Sequence, residues 1–136
     1  MKKIIVVVFL FCVLLTGCSS SEVGFEPITL EEYKTLIANK ESFVVEQWGT
    51  SCVHCSGLKP KLQKFVKEYN LTIKTINLDK LTVDERKELE SITGTLATPI
   101  IMFYKEGTEK SIATRIVGDV SYEKLVNKFK DNGIIE

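Results

Sequence analysis

The sequence lacks both the set of cysteines and histidines that holds a structural zinc ion and the excess of positive charge that indicates a nucleic-acid partner. It contains one histidine, His54, and one closely spaced cysteine pair, Cys52 and Cys55, whereas structural zinc needs four ligands. Lys and Arg number 18, as do Asp and Glu, so no excess of positive charge indicates nucleic acid as a partner. Hydrophobic residues make up 44% and charged residues 26% of the 136 residues. This composition and length predict one ordered domain and exclude a multi-span membrane protein.

Long apolar runs are also missing, except for one at the N-terminus over residues 4–15. This run follows two lysines and precedes small residues, which is the layout of a secretory signal, and it is too short for a confident membrane span. The sequence LTGC, which ends at Cys18, resembles the bacterial lipobox. That resemblance implies cleavage before Cys18 and a lipid on its sulfur. An uncleaved anchor or a signal peptide without lipid is the alternative.

The domain boundaries follow from this N-terminus. We predict a lipoprotein signal peptide over residues 1–17, a polar tether over residues 18–26 and a folded domain over residues 27–136. Removal of the two signal lysines leaves 16 Lys and Arg against 18 Asp and Glu, a net charge of −2, so we expect no nucleic-acid partner. The predicted location is the extracytoplasmic face of the cell membrane, where acyl chains on Cys18 would hold the domain.

The remaining chain alternates between helical and strand patterns, which predicts an α/β domain. Apolar residues at intervals of three or four predict helices, and β-branched or aromatic runs predict strands. The predicted helices cover residues 30–39, 52–70 with Pro60 inside, 82–94 and the segment after Ser121, and the predicted strands cover residues 43–48, 71–78, 98–104 and 112–117. This order favours a central mixed β-sheet with helices on both faces.

Cys52 and Cys55 lie where a predicted strand leads into a predicted helix. Unpaired backbone N–H groups and the helix dipole at a helix start stabilise negative charge, so we predict a stabilised thiolate and a nucleophile at Cys52. Cys55 would then resolve the mixed disulfide formed at Cys52. A bridge between residues so close in sequence would contribute little as a structural brace. A Cu(I) site made of the two thiolates is an alternative.

Two nearby residues raise further questions. As a cation or hydrogen-bond donor, His54 would stabilise the Cys52 thiolate and make the disulfide more oxidising; as an exposed loop residue it would have little effect. Glu46 places an acid in the middle of an apolar strand. The simplest alternative for Glu46 is an edge or surface position, because glutamate is usually exposed.

The motifs, taken in order, resemble the thioredoxin family over nearly all of residues 27–135. The sequence CVHC at residues 52–55 matches the family's CxxC motif, and Pro60 falls where members carry a kinking proline. Trp48 matches the aromatic residue at the end of the central strand. Thr98 and Pro99 are similar to the start of the family's cis-proline strand. The resemblance therefore implies a thioredoxin fold.

The resemblance also implies roles for the matched residues. Glu46 would be a buried acid that relays a proton to or from the resolving cysteine, which suits a carboxyl group with a raised pKa. Trp48, Thr98 and a cis Pro99 would form the groove that docks an extended substrate segment. No organic cofactor and no metal site are implied, and electrons would pass to or from another protein.

We therefore predict a membrane-anchored, extracytoplasmic thiol–disulfide oxidoreductase that acts on protein or peptide cysteines and exchanges electrons with a membrane or exported redox partner. Reductase thioredoxins carry tryptophan before the first cysteine and Gly-Pro between the two, whereas this chain has Ser51, Val53 and His54. The histidine is similar to the DsbA kind of disulfide-forming enzyme, which favours oxidation.

Two other functions remain open from the sequence. In size and layout the chain also resembles thioredoxin-like accessory proteins encoded with bacteriocins. The first alternative is therefore a non-catalytic module that binds a secreted peptide such as a bacteriocin. The second is a Cu(I) carrier.

Overall fold

The computed structural model describes residues 22–136. The predicted signal peptide over residues 1–17 and the predicted lipidation site Cys18 lie outside the described residues and stay predictions. Within residues 22–136, no helix is both long enough and apolar enough to cross a membrane.

The described chain folds into alternating strands and helices. The strands are β1 (Phe25–Pro27), β2 (Phe43–Trp48), β3 (Ile73–Asn77), β4 (Ile100–Lys105), β5 (Thr108–Glu109) and β6 (Ile116–Val117), and the helices are α1 (Leu30–Ala38), α2 (Val53–Glu68), α3 (Val83–Thr93) and α4 (Tyr122–Asp131). Two short 3-10 turns cover Leu78–Lys80 and Ile112–Thr114. The helices predicted near residues 30–39, 82–94 and after Ser121 are confirmed within a residue or two.

The strands form one mixed sheet in the order β1-β3-β2-β4-β5, with β6 also paired to β4. β1, β3 and β2 are parallel, whereas β4 runs antiparallel to β2, β5 and β6. Apolar side chains of α2 and α4 pack on one face of the sheet, and those of α1 and α3 pack on the other. The predicted mixed sheet with helices on both faces is therefore confirmed, and β2 lies at its centre.

Polar side chains fix where α1 and α3 start. Thr29 accepts a hydrogen bond from the backbone N–H of Glu32, and the Glu32 carboxylate accepts one in return from the backbone N–H of Thr29. Thr82 and Glu85 form the same reciprocal capping box before α3. Gly94 ends α3 in a left-handed conformation with φ of 73°. These caps are local features, which is why the sequence predicts both helices well.

The sheet begins earlier than the predicted domain start at Pro27. β1 includes Phe25 and Glu26, which we expect from the sequence to belong to the tether over residues 18–26, and these residues pair with β3. The carbonyl of Gly24 also accepts a hydrogen bond from the N–H of Ile73. A strand of three residues has no recognisable pattern of its own, because its partner strand supplies its hydrogen bonds.

The segment after β4 also differs from the sequence prediction. Only Ile116–Val117 of the predicted strand over residues 112–117 pairs with β4. The Ser111 hydroxyl accepts a hydrogen bond from the N–H of Ala113 and starts a 3-10 turn instead. A tight turn at Glu106 and Gly107, both with positive φ, leads β4 directly into β5. The strand that pairs with β4 directly after the turn is therefore β5, which is shorter and earlier in the chain than the strand predicted over residues 112–117.

Candidate active site

The cysteine pair lies at the N-terminus of α2 and is oxidised. Cys52 and Cys55 form a disulfide with their Cα atoms 5.1 Å apart. Cys52 is the N-cap of α2, and its Sγ accepts a hydrogen bond from the backbone N–H of Cys55 at 3.1 Å. A sulfur in this position takes the place of the capping oxygen that free N–H groups at a helix start prefer. In the reduced protein the same N–H group would face a Cys52 thiolate, so the stabilised thiolate predicted from the sequence fits this geometry and stays a prediction.

The two sulfurs differ in their access to solvent. Cys55 is 8% exposed, whereas Cys52 is half-buried. Val53, between them, is 82% exposed, and His54 is exposed as well. An incoming thiolate can therefore approach Cys52 more easily than Cys55. The assignment of Cys52 as nucleophile and Cys55 as resolving cysteine stays a prediction, and it fits this difference in exposure.

Hydrogen bonds from the end of β3 hold the loop that leads into Cys52. The Asp79 carboxylate accepts a hydrogen bond from the backbone N–H of Thr50 at 2.6 Å, and the Asn77 amide donates to the Thr50 hydroxyl at 3.4 Å. Arg86, on α3, lies 3.8 Å from the other Asp79 oxygen. The sequence analysis missed Asp79 and Arg86. The position of Asp79 just after a strand could have indicated its role. Because β2 and β3 are parallel, their carboxyl ends lie at the same edge of the sheet, which brings Asp79 close to the loop after β2.

Glu46 lies in the central strand and is only 7% exposed, so the alternative of a surface position is wrong. It is flanked by Thr75 of β3 and Ile101 of β4. Burial raises the pKa of the Glu46 carboxyl to about 7, and the positive charge of Lys59 opposes this shift. A carboxyl with that pKa can both accept and donate a proton near neutral pH.

A cavity of about 410 Å³ joins Glu46 to the buried side of the cysteine pair. Its lining includes Glu46, Trp48, Cys55, Lys59 and Glu22. The Glu46 carboxyl and Cys55 therefore border the same cavity, through which a proton can pass between them. The predicted role of Glu46 as proton carrier is consistent with this arrangement and stays a prediction.

The Thr98–Pro99 peptide bond is cis, as the resemblance implied. Pro99 is buried, and its carbonyl accepts a hydrogen bond from the N–H of Gly118 at 2.9 Å. Thr98 and Cys52 line a second, shallower cavity of about 260 Å³ together with Asp79 and Arg86. Thr98 and Cys52 therefore border the same cavity, and the docking role predicted for Thr98 stays a prediction.

Trp48 occupies a different position from the rest of the predicted docking groove. It is half-buried and lines the cavity of Glu46 and Cys55, whereas Thr98 lines the cavity beside Cys52. The structure brings Thr98 and Cys52 together on one side of the loop and Trp48 and Glu46 on the other. Among residues 22–136, no group of three or more His, Cys, Asp or Glu side chains is placed to hold a metal ion.

Comparison with known proteins gives a consistent family. The thioredoxin family model matches residues 24–131. Thioredoxin-2 of Saccharomyces cerevisiae is 31% identical over 88 residues, which cover 64% of this chain and 78% of that protein. The protein disulfide-isomerase of Drosophila melanogaster is 27% identical over 112 residues. That match covers 79% of this chain but only 23% of the length of the isomerase.

Solved structures show the same fold. Chlamydomonas reinhardtii thioredoxin f2 superposes with a TM-score of 0.64 at 18% identity and covers 83% of this chain and 100% of its own. The oxidised form of mitochondrial thioredoxin 3 from Saccharomyces cerevisiae superposes with a TM-score of 0.59 at 23% identity, over 79% of this chain and 94% of its own. At these identities the superpositions support the fold alone.

Proposed function

Since the chain belongs to the thioredoxin family and is a thioredoxin-like disulfide oxidoreductase with a Cys52–Cys55 pair, we propose that it acts on exported protein or peptide cysteines from a lipid anchor at Cys18. The main observation behind this chemistry is a disulfide in which Cys52 is half-buried at a helix start, whereas Cys55 is buried and lines the same cavity as Glu46. The LTGC sequence and the apolar run before it support the anchor and the extracytoplasmic location.

The reaction we propose starts with a substrate thiolate that attacks the Cys52 sulfur. The Cys52–Cys55 bond breaks, Cys55 leaves as a thiolate and takes a proton, and a mixed disulfide joins the substrate to Cys52. A second substrate thiolate then attacks the substrate sulfur of that bond and releases Cys52. The substrate gains a disulfide, and the cysteine pair gains two electrons, with Cys55 left as a thiol and Cys52 as a thiolate at the helix start. Glu46 supplies the proton that Cys55 takes.

We propose oxidation as the physiological direction. His54 follows Cys52 by two positions in the first turn of α2, and its side chain is exposed. As a cation it would favour the Cys52 thiolate, and so the reduced protein, which would make the disulfide a stronger oxidant. A membrane or exported redox partner would then reoxidise the pair. The reduction potential of Cys52–Cys55 is the measurement that decides the direction, and a potential unchanged in His54→Ala removes the argument from this side chain.

Substitution of the two cysteines tests the chemistry. We expect Cys52→Ser to lose thiol–disulfide exchange, because the reachable sulfur is gone. Cys55→Ser cannot form the Cys52–Cys55 disulfide, so it should also lose dithiol oxidation. When it is mixed with a disulfide-bonded substrate it should accumulate a mixed disulfide at Cys52, because the sulfur that would release that substrate is missing. Turnover of a dithiol peptide measures the first effect, and non-reducing electrophoresis with mass spectrometry measures the second.

Ser56→Ala is the matched control for this experiment, because it changes the same helical turn and leaves both sulfurs in place. It should keep the exchange activity of the wild type. A Cys52→Ser variant as active as the wild type contradicts the proposal and favours a binding module in which the disulfide is inert.

Substitution of Cys18 tests the anchor. The full chain with Cys18→Ala should carry no fatty acid and should keep residues 1–17, because the predicted cut before Cys18 follows the attachment of lipid to its sulfur. Metabolic labelling with a fatty acid, together with the mass of the purified chain, measures both effects. Fatty-acid labelling that persists in Cys18→Ala would refute the anchor and leave the cysteine chemistry untouched.

A further inference from the structure

Three charged side chains line the cavity that joins Glu46 to Cys55. They are Glu46, Lys59 and Glu22, and with Cys55 they are the charged or titratable groups in its lining. Glu46 is at the buried end, on β2, whereas Lys59 and Glu22 are largely exposed. Lys59 therefore has two acids within reach of its charge, one buried and one exposed.

Glu22 is attached to α2 by both of its carboxylate oxygens. One oxygen accepts a hydrogen bond from the Gln63 amide, and the other is 3.4 Å from the Lys59 ammonium nitrogen. The backbone around it is also held, because the Glu22 carbonyl accepts a hydrogen bond from the N–H of Phe25 at 2.9 Å. Gly24 packs so closely against Val66 of α2 that a Cβ there would collide with the Val66 side chain. The segment from Glu22 to Phe25 is thus fixed against the helix that carries Lys59.

The ionic partner of Lys59 affects the chemistry of Glu46. Burial favours the protonated form of Glu46, and the charge of Lys59 favours the ionised form. Glu22 competes for the same ammonium group at the cavity mouth. In the proposed reaction Glu46 gives a proton to Cys55, and the position of Lys59 relative to Glu46 would change how easily the Glu46 carboxylate forms.

We propose that Lys59 is a positioning residue for proton exchange at Glu46, and that Glu22 holds Lys59 at the mouth of the cavity, away from the buried carboxyl. The inference rests on the proposed function, because it assigns Glu46 a proton to move. Glu22 follows the predicted lipid-bearing Cys18 by only four positions. The segment next to the membrane anchor therefore contributes directly to the proton chemistry of the site.

The proposal is tested by measuring the pKa of Glu46 in two single variants, Lys59→Met and Glu22→Gln, and in the double variant. In the oxidised full chain, ¹³C NMR of the carboxyl carbons follows the titration of Glu46, whose signal is assigned from its loss in Glu46→Gln. Lys59→Met should raise the pKa of Glu46, and Glu22→Gln should lower it because Lys59 is released toward Glu46. We expect shifts of about half a pH unit, since Lys59 is 58% exposed and solvent screens its charge.

The double variant separates the proposal from a general charge effect. Glu22 acts through Lys59, so Glu22→Gln in the Lys59→Met background should leave the pKa of Glu46 at the value of Lys59→Met alone. Lys59→Arg, which keeps the charge, should stay near the wild type. Equal lowering by Glu22→Gln with and without Lys59, or no shift in either single variant, overturns the proposal.

Two control variants make the same kinds of substitution, Lys to Met and Glu to Gln, at surface ion pairs outside the cavity. Lys61→Met changes a lysine of α2 that pairs with Asp119, and Glu26→Gln changes an acid that pairs with Lys74. Neither Lys61 nor Glu26 lines the cavity, so neither substitution should move the Glu46 titration. The titration is read without turnover, so a failure of the proposed function leaves this result interpretable. The pH midpoint of exchange should shift in the same direction as the Glu46 pKa.

Discussion

Glu46→Gln is expected to raise the free energy of unfolding by about 3 kcal/mol at pH 9 and to leave it nearly unchanged at pH 4. The pKa of Glu46 rises from an ordinary 4.5 to about 7 on folding, because the carboxyl is buried. Between these two values the folded protein binds more protons than the unfolded chain, so its stability falls as the pH rises. The loss is complete above the folded pKa, and below pH 4.5 both states carry the proton. A glutamine resembles the protonated acid at every pH, so its advantage should appear only where the wild type has lost stability.

Denaturant unfolding of the oxidised protein at a series of pH values measures this effect. Glu90→Gln on α3 is the matched control, because Glu90 is exposed and its substitution should change stability by less than about 0.5 kcal/mol at each pH. A Glu46→Gln variant whose gain is the same at pH 4 and pH 9 would show that the carboxyl is not the titrating group. At high pH the wild type is therefore less stable than Glu46→Gln, as expected for a buried carboxyl group that exchanges protons during a reaction.

Local signals explain what the sequence predicts well. Thr29 and Thr82 carry capping boxes within four residues, and β2 and β4 are rich in β-branched and aromatic residues, so these elements follow from near neighbours in the chain. The position of Cys52 at a helix start is also predicted from its near neighbours in the sequence. The β-branched and aromatic residues around Glu46 likewise predict that this acid lies within a strand.

Other parts of the site depend on contacts between distant segments. Asp79 reaches Thr50 across 29 positions, and Glu22 reaches Gln63 across 41, so neither contact has a local pattern. β1 exists because β3 lies beside it. The position of Trp48 in the cavity of Glu46 likewise depends on how β2 and α2 pack. Sequence periodicity predicts which face a residue takes, but it does not predict which distant side chain it meets.

Gln47→Met is expected to raise the free energy of unfolding by about 1 to 3 kcal/mol at every pH. Gln47 is 0% exposed, and among residues 22–136 neither its amide nitrogen nor its amide oxygen has a hydrogen-bond partner. Successive strand residues point to opposite faces, so Gln47 shares with Val45 the apolar face covered by α1 and α3. Methionine has a similar length and flexibility without the polar atoms, so it removes the burial cost without leaving a void.

The shift in the denaturation midpoint measures the effect of Gln47→Met, and the pH independence of the gain distinguishes it from that of Glu46→Gln. Gln63→Met is the control, because the Gln63 amide lies at the surface with a partner in Glu22 and its loss should change stability by less than about 0.5 kcal/mol. A Gln47→Met variant that is less stable than the wild type would mean that the amide makes favourable polar contacts in the folded chain. If the variant is more stable but slower in disulfide exchange, then the unpaired amide, which lies on the opposite face of β2 from Glu46, is retained for the reaction, and the same strand carries two polar groups that reduce stability.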